Sequence, residues 1–169
     1  MNNHVHLLAV PMEAGSLTHS MGRTNLLYTQ YMNRKYHRSG RLWQNRFFSA
    51  IVGDEIYLWS VMRYIERNPL KAGLVQDPLT YPWSSCRANV EGAQDELVKP
   101  SSWFDASERE AYFGFMMQQD SAMDDNIRRA TSTGRPLGST GFVKGLEMLL
   151  SRKLLSGKVG RPNKIGKCP

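Results

Sequence analysis

The stretch from Asp54 to Asn68 constrains the fold more than any other part of the sequence, because it carries the signals of a complete helix. Asp54 belongs to the residue types that cap helix N-termini well, and Pro69 disfavours helical geometry in the residue before it. The sequence therefore predicts a helix that begins at Asp54 and stops near Asn68. One face of this helix presents four residues at helical spacing, namely Tyr57, Val61, Tyr64 and Asn68.

Two short segments before that helix predict strands. Residues 4–10 form an apolar run that is long enough for a buried strand and too short for a helix. Residues 42–52 are rich in aromatic and β-branched side chains, which favour strands. Between them, a helix is predicted to begin at Ser16 or Thr18 and to continue to about residue 36. This alternation predicts one α/β domain that ends at about residue 90.

Helical patterns return in the second half of the chain. Apolar side chains recur at helical spacing in residues 107–119 and 140–150, and a further helix is predicted at 124–130. The end of the chain from Gly157 has too little apolar content to order itself. The sequence therefore predicts a mainly helical extension after the first domain.

Positive charge is concentrated in two blocks that an acidic segment separates. The chain of 169 residues carries a net charge of +7, to which residues 14–53 contribute +6, residues 91–125 contribute −7 and residues 127–169 contribute +9. Such a pattern favours contact with a nucleic-acid backbone at two places, although charge blocks are also found as merely solvated faces. It predicts a domain at 1–90, an acidic connector at 91–125 and a basic DNA-binding extension at 126–169.

Other features of the composition narrow the class of protein. No apolar run approaches the roughly 20 residues that a membrane span requires, and the first residues lack the pattern of a signal peptide. Two cysteines, Cys86 and Cys168, are too few for a disulfide scaffold or a four-thiolate zinc site. These observations predict a cytoplasmic protein with free thiols and no membrane partner.

Two histidines and one helix face could carry chemistry. On a strand, His4 and His6 point to the same side, and neutral imidazoles are good ligands for a divalent metal. Tyr64 and Asn68 lie one helical turn apart and present a phenol beside an amide oxygen, which suits a nucleophile with a metal ligand. The alternatives are that the imidazoles are only packed or solvated, that Tyr64 is a core aromatic and that Asn68 caps the helix before Pro69.

Several motifs, taken in order, closely resemble the REP-associated tyrosine transposases, which belong to the single-tyrosine HUH transposases. Five of them lie in the first domain: H-V-H-L-L (4–8), Y-T-Q-Y-M-N (28–33), S-G-R-L-W-Q-N-R-F (39–47), R-Y-I-E-R-N-P-L-K-A-G-L-V (63–75) and Y-P-W-S-S (81–85). Three more lie near the end: G-R-P-L-G-S (134–139), F-V-K-G-L-E (142–147) and G-R-P-N-K (160–164).

The resemblance implies an α+β fold. In this family the core is a ferredoxin-like (RRM-like) sheet with helices on one face, and the HUH histidines lie on its third strand. Because the histidines here are residues 4 and 6, we expect a sheet that lacks its first two strands and one helix, as in a truncated or mis-started gene product. An exposed sheet edge would favour association of chains. Because members of the family act as monomers or as dimers, the resemblance implies either a monomer or a homodimer.

The resemblance also implies a reaction. His4, His6 and Asn68 would hold a divalent metal, Mg²⁺ or Mn²⁺, and Tyr64 would attack a phosphate of single-stranded or hairpin DNA to give a 5′-phosphotyrosine intermediate. Trp43 and Phe47 would either stack on unpaired bases or fill the core. Basic residues expected to contact DNA phosphates are Arg34, Lys35, Arg38, Arg41, Arg46 and, in the tail, Arg161.

Three functions are therefore open on the sequence alone. The first is a transposase-like single-stranded DNA endonuclease and strand transferase. The second is a non-catalytic DNA-binding protein, either a decayed transposase or a regulator, that uses only the basic segments. The third is a metal-dependent phosphodiesterase in which Tyr64 has a structural role, and it differs from the first by the absence of a covalent adduct.

Overall fold

A computed structural model describes residues 1, 3–98 and 105–155 of the chain. These residues form helices joined by turns and irregular segments, with one short 3₁₀ turn at Pro78–Thr80. The helices are α1 (Ser16–Lys35), α2 (Glu55–Lys71), α3 (Cys86–Glu91), α4 (Ala106–Met117), α5 (Ser121–Thr133) and α6 (Thr140–Leu150).

The predicted sheet is not found in the described residues, and the expectation of an α+β, ferredoxin-like fold is wrong for them. Residues 4–10 and 42–52, both predicted as strands, carry no regular strand. A strand needs a neighbour that bonds its N–H and C=O groups, and the described residues offer the run at 4–10 no such neighbour. The side chains of Val5, Leu7 and Val10 are accordingly 65%, 62% and 73% exposed.

The helix α2 lies at the centre of the core and is buried on both sides. One face of α2 packs against α5 and Leu137, and the opposite face packs against α3 and α4. The buried residues of the first cluster are Val61, Tyr64, Ile127, Ala130 and Leu137. The buried residues of the second cluster are Met62, Cys86, Tyr112 and Met116.

The end of α2 differs from the prediction, because the helix continues through Pro69 to Lys71. Proline removes one backbone donor, but the turn after it is closed by other bonds. The amide of Ala72 donates to the carbonyl of Asn68 at 2.9 Å, and the amide of Leu74 donates to the carbonyl of Pro69 at 2.9 Å. Asn68 therefore lies inside the helix, which excludes the interpretation that it serves as the C-cap.

Most other predicted helices are confirmed. The helices α1 and α6 lie where the periodicity predicts them, α5 includes the predicted segment 124–130, and α4 covers the predicted segment 107–119 except for its last two residues. Their starts follow capping chemistry: Asp105 forms a capping box with Glu108, and the Asp120 carboxylate accepts from the amide of Met123 at 2.9 Å. The helix α4 lies in the predicted acidic connector and packs on α2 and α3. None of the helices in the described part of the chain is both long and apolar enough to cross a membrane.

The G-R-P-L-G-S motif is tied to the start of α2 by an isolated parallel bridge between Val52 and Leu137. The amide of Leu137 donates to the carbonyl of Ile51 at 2.8 Å, and the amide of Gly53 donates to the carbonyl of Leu137 at 2.7 Å. The ring of Phe142 lies so close to Gly53 that a Cβ there would approach it to 2.8 Å, and a Cβ on Gly138 would overlap the same ring. Both glycines are therefore needed for this close packing.

We expect Gly138→Ala to lower the free energy of unfolding by about 1–3 kcal/mol, because the added methyl group forces the Phe142 ring out of its place. Urea denaturation measures the change. Gly145→Ala is the matched control, since a Cβ at Gly145 meets nothing within 4 Å and alanine favours the interior of α6. Equal effects of the two substitutions would contradict the packing argument.

Candidate active site

The two histidines lie side by side although they are not on a strand. The ring centroids of His4 and His6 are 4.9 Å apart, with the rings nearly perpendicular at 85°. Oδ1 of Asn3 accepts a hydrogen bond from Nδ1 of His4 at 2.7 Å. Nε2 of His4 is then the ring nitrogen that could bind a ligand. A partner on one ring nitrogen fixes the orientation of an imidazole for binding through the other. His4 is exposed and His6 is half-buried.

Tyr64 joins these histidines from a distant part of the sequence. The ring of Tyr64 lies 5.5 Å from that of His6 between centroids, at an angle of 77°. Its side chain is 7% exposed and packs with Val61 and Ile127. The structure therefore brings together three of the residues singled out in the sequence, and it also places the Tyr64 ring within the core.

Asn68 is the fourth predicted residue, one helical turn beyond Tyr64 on α2. Its side chain is buried, and its amide nitrogen has no hydrogen-bond partner. A buried NH₂ group that is left unpaired costs about 1–3 kcal/mol, and as a hydrogen-bond donor it calls for an acceptor and not for a cation. Two imidazoles with an amide oxygen are a donor set that suits a divalent cation. Among the described residues no three His, Cys, Asp or Glu side chains gather to hold a metal, and the role of Asn68 as a ligand through its amide oxygen stays a prediction.

The side chain of His6 is in an environment that favours the neutral imidazole, the form that can bind a metal. Burial lowers the pKa of His6, and the neighbouring His4 and the terminal amine lower it further, because each disfavours a second positive charge nearby. His6 is therefore neutral at pH 7. A neutral imidazole is the form that binds metal.

Two cations flank the Tyr64 ring, and neither was identified as a site residue from the sequence. Nζ of Lys71 lies 5.9 Å from the ring centroid of Tyr64, and the guanidinium carbon of Arg128 lies 5.7 Å from it. Lys71 pairs with Asp124, and Nη1 of Arg128 donates to Asp125 at 2.8 Å. Lys71 lies two helical turns after Tyr64, so a helix predicted to continue through Pro69 would have placed Lys71 on the same face as Tyr64.

On the opposite face of α2, Glu66 ties the helix to α3 and α4. Glu66 is fully buried. Its Oε1 accepts from the Ser85 hydroxyl and the Asn89 amide, both at 2.7 Å, and its Oε2 accepts from the Tyr112 hydroxyl at 2.7 Å. Burial raises the pKa of Glu66, and these three hydrogen bonds oppose the shift. The network fixes the helix that carries Tyr64 and Asn68.

The two arginines of the R-Y-I-E-R-N motif also make internal contacts. Nη1 of Arg67 donates to the carbonyls of Met116 at 2.9 Å and Met117 at 3.0 Å, where α4 ends and its carbonyls lack helical partners. The guanidinium of Arg63 lies 4.4 Å from the ring centroid of Phe115. The local sequence indicates no role for these two arginines, because their partners are about 50 residues away along the chain.

The residues predicted to bind DNA lie at the end of α1 and in the loop after it. Trp43 is half-buried: its indole N–H donates to the carbonyl of Asn25 at 3.2 Å, and its ring lies 5.9 Å from that of Tyr28. Arg161 and the motif at 160–164 lie outside the described residues. The exposed residues are Arg34, Lys35, Arg38, Arg41 and Arg46, and their contact with DNA stays a prediction.

Paired imidazoles beside a tyrosine, with an amide one turn further along its helix, define a candidate site for metal-assisted phosphoryl transfer. Comparison with known families gives the same region: residues 1–68 match the family described as "Transposase IS200 like". The matched residues include all four of His4, His6, Tyr64 and Asn68. The family resemblance predicted from the motifs is thus confirmed for this part of the chain.

A named relative agrees with the family match. The chain is 31% identical over 71 residues to a protein of Haemophilus influenzae named "Putative REP-associated tyrosine transposase". The matched stretch is 42% of this chain and spans 38% of the relative's length. No solved structure matches the chain.

Proposed function

We propose that this protein cleaves and rejoins single-stranded DNA at hairpin, REP-like sequences, in the manner of a transposase. The observation that carries the proposal is the contact of His6 with Tyr64, 5.5 Å between ring centroids, with His4 beside it. Tyr64 thus meets two histidines that lie 58 and 60 residues before it in the sequence. The family match over residues 1–68 supports the same chemistry.

The proposed reaction forms one phosphoester bond and breaks another. The phenol oxygen of Tyr64 attacks the phosphorus, the bond from phosphorus to the 3′ oxygen breaks, and that oxygen takes up a proton while the phenol loses one. The products are a 5′-phosphotyrosine and a free 3′-hydroxyl. The original 3′-hydroxyl can attack the phosphotyrosine and reverse the step. A different 3′-hydroxyl can attack it instead, and strands are then exchanged without an external energy source.

His4, His6 and Asn68 are the residues that would hold a divalent metal in this proposal. When bound, Mg²⁺ or Mn²⁺ supplies positive charge that polarises the phosphate and offsets the weak nucleophilicity of a phenol at neutral pH. Imidazole ligands favour Mn²⁺, while the abundance of Mg²⁺ in cells favours Mg²⁺. The exposed basic residues after α1 would hold the DNA backbone.

A second function is supported by the burial of the phenol. Tyr64 is 7% exposed and belongs to the core cluster with Val61 and Ile127, as a structural tyrosine would. In that case the protein binds DNA through its basic segments and forms no covalent bond to it. Binding would then depend on salt and not on the two histidines.

We expect His4→Ala and His6→Ala each to lower Mn²⁺ affinity and adduct formation by about 10–100-fold or more, because each removes a metal ligand. Calorimetric titration with Mn²⁺ measures the first effect, and a denaturing gel with a labelled hairpin oligonucleotide measures the second. His19→Ala, at an exposed position of α1, is the matched control. An adduct that forms equally well in both variants would refute the metal assignment, and hydrolysis without any adduct would favour a simple phosphodiesterase.

A further inference from the structure

The helix α5 brings a cation to the phenol of Tyr64 from outside the region that matches the transposase family. The guanidinium carbon of Arg128 lies 5.7 Å from the Tyr64 ring centroid, and the family match ends at residue 68. The side chain of Arg128 is 53% exposed, so the guanidinium contacts both the tyrosine and solvent. It is therefore within reach of a polyanion that approaches Tyr64.

The packing of α5 on α2 places Arg128 beside Tyr64. Nη1 of Arg128 donates to Oδ1 of Asp125 at 2.8 Å, three residues earlier on α5. Ile127 and Ala130, its neighbours on α5, are buried in the cluster that contains Tyr64. The neighbouring phenol of Tyr64 raises the pKa of Arg128, which is charged throughout the physiological range.

The second cation near the phenol is not equivalent to Arg128. Lys71 pairs with Asp124, whose side chain is only 4% exposed, so the charge of Lys71 is balanced by a buried carboxylate. The partner of Arg128 is different, because the side chain of Asp125 is 64% exposed. An exposed ion pair is weak, and a guanidinium has further N–H donors for phosphate oxygens.

We propose that Arg128 contacts the phosphate that Tyr64 attacks, so that α5 completes the active site. The inference rests on the proposed function. As the phenol oxygen of Tyr64 bonds to phosphorus and the 3′ oxygen leaves with a proton, negative charge is concentrated on the non-bridging oxygens. The guanidinium of Arg128 donates hydrogen bonds to these oxygens and holds the phosphate in line with the phenol.

The test compares Arg128→Ala with Arg129→Ala in the full chain. Both residues are exposed arginines of α5, and they differ in that Arg128 lies at Tyr64. With a 3′-labelled hairpin oligonucleotide and Mn²⁺, we expect Arg128→Ala to lower the rate of adduct formation at saturating DNA by about 100-fold. Arg129→Ala should keep the wild-type rate, and Arg128→Lys should restore part of it.

A binding measurement gives a readout that does not depend on the reaction. In the Tyr64→Phe background and without metal, we expect Arg128→Ala to reduce the slope of log affinity against log salt by about 0.7, the value for one phosphate contact on a single strand. Arg87→Ala, at an exposed arginine of α3 outside the basic segments, should leave the slope unchanged.

The possible outcomes separate the inference from the proposed function. Adduct formation by the wild type, with equal saturated rates for Arg128→Ala and Arg129→Ala, would overturn the role of Arg128 alone. A wild-type chain that forms no adduct would overturn the proposed function and the role of Arg128 with it. A selective loss of rate and of salt slope in Arg128→Ala supports the inference.

Discussion

We expect Tyr64→Phe to abolish the covalent protein–DNA adduct, with a loss of about 10³-fold or more. Phenylalanine keeps the ring that packs with Val61 and Ile127, but it has no oxygen that could bond to phosphorus. The helix and the core around it should therefore remain folded while the reaction stops. A denaturing gel with a 3′-labelled hairpin oligonucleotide and Mn²⁺ measures the adduct, since the proposed bond is to the 5′ phosphate of the downstream strand.

Tyr57→Phe is the matched control for this substitution. Tyr57 is a half-buried tyrosine on the same face of α2 and packs against the same cluster as Tyr64. Its variant should form the adduct as the wild type does. An adduct that persists in Tyr64→Phe would contradict the assignment of the nucleophile, and a loss in both variants would indicate damage to the helix instead.

The largest expected effect on stability is at Glu66. We expect Glu66→Ala to lower the free energy of unfolding by about 3–5 kcal/mol, because it removes the shared acceptor of two buried donors and one half-buried donor. These donors are the side chains of Ser85, Asn89 and Tyr112. Chemical denaturation measures the change, and Glu55→Ala, at an exposed position of the same helix, should change stability by less than about 0.5 kcal/mol.

The same network gives stability a specific pH dependence. Because burial raises the pKa of Glu66, the folded protein holds its proton to a higher pH than the unfolded chain does. Stability from this group is thus fully present below the ordinary carboxyl pKa of 4.5 and is lost as the pH rises through the raised pKa. Glu66→Gln should remove this loss, since glutamine cannot ionise. An unchanged pH profile in that variant would show that another group causes it.

Local signals in the sequence were sufficient to predict most helices, but they also predicted a sheet that the described residues do not form. The periodicity of α1 and α6 and the capping residues Asp105 and Asp120 are read within a few residues, and these elements are present. Strands need a partner far along the chain, and the run at 4–10 has β-type composition without such a partner among the described residues. Pro69 failed as a stop signal, because later amides supply the hydrogen bonds of the last turn.

The candidate site was predictable to the extent that its residues belong to motifs. His4, His6 and Tyr64 were singled out from spacing and resemblance, and the structure brings their rings together. Arg128 carries no such signal, because its relation to Tyr64 depends on how α5 packs on α2. Polar residues that are joined only by the tertiary fold have no local pattern in the sequence.

The bridge between Val52 and Leu137 has a consequence for synthesis of the protein. Chains emerge from the ribosome N-terminus first, so α2 leaves it before α4, α5 and Leu137 have been made. Both buried faces of α2 are then exposed to water, with the apolar side chains of Val61 and Met62 uncovered. The motifs of the candidate site are therefore complete early in translation, whereas the core that holds them closes only when the last third of the chain has been made.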